Sequence, residues 1–171
     1  MFEFLKDIKE LEDVESVEKI NKGYSKDEKF KIKLKNKDEY LLLRLSDISL
    51  YEQKKKEYEV ISKFSKLGFE MSKPISFGIC NDKKNVYMLL SWINGVDLSE
   101  ALPKLSEEEQ YLLGRKAGEI LKAIHSLKVE DKNFEDRLKI KLLDKIEKYE
   151  SSDVRVENDN NFIEYVKRNV D

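Results

Sequence analysis

The clearest pattern in the chain is an alternation. In "KFKIKLK" (29–35), Phe30, Ile32 and Leu34 fall on one side and the lysines on the other, which predicts a half-buried strand. "NKD" (36–38) predicts a tight turn and "EYLLLRLS" (39–46) a returning strand, so this stretch reads as a hairpin. "VESVEKI" (14–20) predicts a strand before it, across the turn-rich "KGYSKDE" (22–28). Further on, "PISFGIC" (74–80) and "NVYMLLSWI" (85–93) flank the turn "NDKK" (81–84) as a second hairpin. Strands joined by hairpins imply an antiparallel sheet.

Helical spacing fills the rest. Phe4, Leu5, Ile8 and Leu11 predict a short helix over 2–12. An amphipathic helix is expected over 47–67, with Gly68 just past its end. "NGVDLSEALP" (94–103) reads as a connector. In "SEEE" (106–109), Ser106 and Glu109 form a capping box that opens a long helix to about Leu127. Its expected inner stripe is Leu113, Ala117, Ile120, Leu121 and Ile124. Helical patterns recur over 136–149 and 160–169. The order predicts an α+β fold: a five-stranded antiparallel sheet with one inserted helix, then only helices. The composition shifts near residue 94.

Charge narrows the partners. Lys+Arg (33) nearly balances Asp+Glu (35), a net charge of −2, so nothing pulls the protein toward nucleic acid. The densest basic run, "KKK" at 54–56, reads as a solvated helix face. No stretch approaches the roughly 18 apolar residues of a membrane span, and "MFEFLKDIKELED" is too acidic for a signal peptide. The one cysteine, Cys80, excludes an internal disulfide and reads as a small buried side chain. With one cysteine and one histidine, a zinc site would need several carboxylates. The expectation is a cytoplasmic protein.

Two charges break the pattern. Arg44 interrupts "LLLRLS", on the same sheet face as Leu42. Glu57 lies on the helix stripe of Val60, Ile61 and Phe64. An unpaired buried charge costs several kcal/mol, so the two are expected to pair. The pair is either structural or an anchored cation that meets an anionic phosphate, the arrangement of kinase-type sites. The break at 22–28 contains Gly23, and the N–H groups around Tyr24, Ser25 and Lys26 are candidates to cradle phosphate oxygens. "YMLLSWING" (87–95) ends where a purine base would be gripped by the main chain of Ser91, Trp92 and Ile93.

Together, "INKGYSKDEKFKI", "YLLLRLS", "EYEVISKF", "VYMLLSWINGVDL" and "AGEILKAIHSL" resemble the aminoglycoside phosphotransferase family, over about residues 17 to 127. These are small-molecule kinases with a protein-kinase-like fold. The resemblance implies an N-terminal nucleotide-binding lobe over 1–93, a hinge at 91–95, and over 96–171 the helices of an incomplete C-terminal lobe. It implies ATP or GTP with Mg²⁺ as cofactors and a small-molecule acceptor such as an aminoglycoside. Gly23, Tyr24, Ser25 and Lys26 correspond to the phosphate-covering loop. Arg44 stands at the strand cation, where better-studied members carry Lys, and Glu57 at the helix carboxylate. Ser91, Trp92 and Ile93 correspond to the hinge, and His125 to a packing histidine. The family's His-Gly-Asp catalytic loop and metal-binding Asp have no counterpart in these residues. The expectation is therefore the front part of a longer kinase, inactive alone, with an exposed helical surface that favours self-association. The alternative is a non-catalytic nucleotide-binding or interaction module.

Overall fold

The computed structural model describes residues 3–35, 37–128 and 133–170. These form two compact units, Met1–Ser126 and Leu127–Asp171. The first holds strands β1 (Val14–Ile20), β2 (Glu28–Leu34), β3 (Tyr40–Asp47), β4 (Pro74–Cys80) and β5 (Asn85–Ser91). It also holds helices α1 (Tyr51–Phe64), α2 (Leu98–Ala101) and α3 (Glu107–His125). The second holds α4 (Phe134–Glu150) and α5 (Asp159–Arg168). The strands form one sheet in the order β1-β2-β3-β5-β4, antiparallel throughout. This is an α+β arrangement, a five-stranded antiparallel sheet of the protein-kinase-like N-terminal-lobe type followed by helices.

Register sorts the side chains. Phe30 lies opposite Leu43, and Leu43 opposite Leu89, so these three share one face. That face is the core, with Phe30, Ile32, Leu34, Leu43, Leu45, Tyr87, Leu89 and Cys80 buried on it. Leu5, Ile8 and Leu11 cover it. Docked there, the chain forms 3₁₀ turns at Glu3–Asp7 and Lys9–Leu11 rather than the expected helix. The opposite face carries Lys29, Arg44, Met88 and Phe77 in one row. Here α1 packs, with Tyr51 and Tyr58 tilted against Phe77 at 5.5 and 5.4 Å between ring centroids.

Helix α1 is shorter than expected. It is preceded by a 3₁₀ turn, Ile48–Leu50, capped by the Asp47 carboxylate, which accepts the Ser49 N–H at 2.9 Å. Those contacts from Ser49 hold the Asp47 carboxyl below its ordinary pKa. The helix stops at Phe64, where Ser62 and Ser65 hydroxyls donate to the Tyr58 and Ser62 carbonyls and compete with the helical ladder. Gly68, with φ +78°, takes up the turn beyond. The Ser106–Glu109 capping box is present at the start of α3. The inner stripe expected on α3 is not buried: Leu113 and Leu121 are exposed, and Ile120 and Ile124 half-buried. His125, the last residue of α3, is exposed. In the second unit Ile146 and Ile163 are buried, and the Tyr149 hydroxyl donates to Asp159 at 2.8 Å. Among the described residues no helix is long and apolar enough to cross a membrane.

Candidate functional site

The site is built around Arg44. Leu42, Arg44 and Ser46 alternate onto the sheet face that α1 covers, so Arg44 must cross from the sheet toward the helix. Its Nη1 lies 2.7 Å from Glu57 Oε1, the pairing expected from the sequence. Two further residues complete the arrangement. Arg44 Nε donates to Asp27 Oδ2 at 2.9 Å, and Nη2 donates to the same oxygen. Lys54 Nζ lies 2.7 Å from Asp27 Oδ1 and 3.0 Å from Glu57 Oε2. The four side chains therefore close a ring of alternating sign: Asp27, Arg44, Glu57, Lys54. Ser46 Oγ adds a 2.8 Å bond to Asp27.

The ring has a buried back and an open front. The side chains of Asp27 and Lys54 are 4% and 9% exposed, those of Arg44 and Glu57 16% and 33%. Behind it, the space between Asp27, Arg44, Ser46, Lys54, Val86, Tyr87 and Met88 has no room for a water molecule. Burial alone would push the Asp27 carboxyl up. Hydrogen bonds from Lys54, Ser46 and Arg44 outweigh it and hold the pKa at about 2. Asp27 is therefore ionised at neutral pH.

The structure corrects the reading of "KKK". Lys54 is not part of a solvated face but one of the most buried charged residues described. Its spacing of three from Glu57 was the legible signal, since residues i and i+3 are neighbours on a helix. Asp27 carried no such signal: a lone aspartate before a strand has no periodicity.

Asp27 also ties the β1–β2 loop to Arg44. Within that loop Gly23 adopts φ +101°, which disfavours a side chain. Lys29 Nζ reaches under it and donates to the Lys22 and Ser25 carbonyls at 3.0 and 3.4 Å. The loop's carbonyls thus turn inward. Tyr24, Ser25 and Lys26 are exposed, and among the described residues their N–H groups have no partner. Lys22 reaches Asp97 at 2.6 Å, which clasps the loop to the segment beyond β5.

At the other end of the same face lies the expected hinge. The Ser91 N–H donates to the Lys73 carbonyl at 2.8 Å, and the Trp92 N–H to the Tyr40 carbonyl at 3.1 Å. Among the described residues the Ile93 N–H has no partner. Trp92 is half-buried, and Lys31 Nζ sits over its ring at 4.8 Å and over that of Tyr40 at 4.1 Å.

Among the described residues no group of three or more His, Cys, Asp or Glu side chains is placed to hold a metal ion. The two carboxylates of the ring are already engaged by cations. The ring therefore offers a Mg²⁺ ion no free carboxylate.

Residues 16–170 match the model of the phosphotransferase enzyme family, APH. No curated protein matches the chain. The match covers most of the chain, which belongs to this family.

Proposed function

From this membership and the cation on β3, we propose that the sheet unit grips the phosphates of ATP or GTP. In this reading it is the nucleotide-binding part of a phosphotransferase whose acceptor is a hydroxyl of a small molecule, such as an aminoglycoside. The observation that carries it is Arg44: a guanidinium on the sheet face between the glycine loop and the strand end at Ser91. A phosphate meets it from the open side of the ring, since the back is sealed. The free amides of Tyr24, Ser25 and Lys26, beside Gly23, then lie over the phosphates. With two hinge amides committed within the sheet, the Ile93 N–H is the donor left for the base edge, beside Trp92. Glu57 keeps the guanidinium from swinging to solvent.

Phosphoryl transfer further requires a catalytic Asp and metal ligands. The proposal assigns these residues nucleotide binding and no step of transfer. Calorimetric titration with ATP, GTP, adenosine and guanosine tests it. Saturable binding of a triphosphate is expected, weakened about tenfold or more by Arg44→Ala, the scale of a lost charged hydrogen bond. Adenosine or guanosine binding should change little. A wild-type chain that binds no nucleotide, or a folded Arg44→Ala variant that binds triphosphate as well as wild type, overturns the reading.

A further inference from the structure

Resting on that nucleotide reading, we infer that Asp27 is a positioning residue that decides which edge of Arg44 meets the phosphate, with Lys54 as its brace. A guanidinium presents its N–H bonds along distinct edges of one plane. Asp27 engages the edge made by Nε and Nη2, and Glu57 pairs with Nη1 at 2.7 Å. Asp27 thus leaves the edge that Nη1 and Nη2 share, the fork that binds two phosphate oxygens at once.

Glu57 alone would leave the plane free to rotate about a single contact. Asp27 removes that freedom, because it is 4% exposed and itself fixed by Ser46 and Lys54. Lys54 also shares Glu57 with Arg44. When a phosphate draws charge from Arg44, the Glu57 carboxylate keeps a cation within 3.0 Å, and α1 stays docked. An arginine on β3 thus comes with an anchor that a lysine, having no edges, would not use.

The test is the affinity of triphosphate against nucleoside in Asp27→Asn, in the wild-type and the Arg44→Lys backgrounds. The amide keeps the shape but loses the charge that grips two nitrogens. Expected is about tenfold weaker triphosphate binding with nucleoside binding unchanged. In Arg44→Lys the same substitution should weaken triphosphate binding less than about twofold. Tighter or unchanged triphosphate binding in Asp27→Asn overturns the inference; tighter binding would make the carboxylate a competitor for the cation. An equal loss in both backgrounds also overturns it, since the effect would not pass through the guanidinium. If Asp27→Asn does not fold, Ser46→Ala decides, because it frees Asp27 while keeping all four charges. About threefold weaker triphosphate binding supports the inference and no change overturns it. Failure of the wild type to bind any nucleotide removes the underlying reading and this inference with it, whereas binding that ignores Asp27 removes the inference alone.

Discussion

Asp27 makes the charge ring visible in stability as well as in binding. Its pKa stands at about 2 against the ordinary 3.8. The difference is worth about 2 kcal/mol of folding free energy, and about 1–2 kcal/mol once solvent at the open side of the ring screens part of it. Because the folded pKa is depressed, this stability is fully present above about pH 4–5. It is lost as pH falls through 3.8 toward 2. Asp27→Asn removes the titration without changing side-chain shape. Urea unfolding of both proteins, followed by the fluorescence of the single tryptophan, Trp92, should be run at pH 6.5, 5, 4 and 3. The wild type should be more stable by at least that amount at pH 6.5, and the gap should narrow below pH 4. Breaking a buried pair outright costs about 3–5 kcal/mol, which bounds the gap from above. A gap that stays constant from pH 6.5 to 3 would refute the reasoning.

Other substitutions test the frame that holds the ring. Leu43→Ala empties the middle of the buried sheet face and should cost about 3 kcal/mol in denaturant unfolding, while Leu112→Ala on the exposed side of α3 should cost under about 1 kcal/mol. Gly78→Ala would bring a Cβ to 2.8 Å from the Tyr87 ring, an overpacking of about 1–3 kcal/mol that should lower the melting temperature. Burial pushes the Cys80 thiol up to about 11, so it should react with a thiol reagent only at the rate of unfolding, and at once in denaturant.

The sheet was legible because its constraint is local and periodic. Phe30, Ile32 and Leu34 announced β2 by alternation, and Pro74 and the turn before Asn85 bounded β4 and β5. Helix ends were less legible. Serine hydroxyls at 62 and 65 end α1 before Gly68 is reached, and spacing does not distinguish that from a continued helix. At 5, 8 and 11 a period of three belongs to both helix types, and docking on the sheet decided between them. The Arg44–Glu57 pair was legible because both charges fell on apolar stripes. Its partners were not. Lys54 hid in a basic run, and Asp27 owes its place to a loop geometry that brings residue 27 against residue 44. The commitment of the Ser91 and Trp92 amides likewise follows from where the chain passes Lys73 and Tyr40, which no local pattern encodes.

The central claim, that this sheet face holds a nucleoside triphosphate with its phosphates on Arg44, is tested most directly by titrating ATP or GTP into ¹⁵N-labelled protein. The amides of Tyr24, Ser25, Lys26 and Ile93 should shift together and saturate at one affinity, with the Arg44 Nε–H resonance retained throughout because Asp27 holds it. Saturation with no change at Ile93 and the loop, or no saturable change at any residue, would contradict the account.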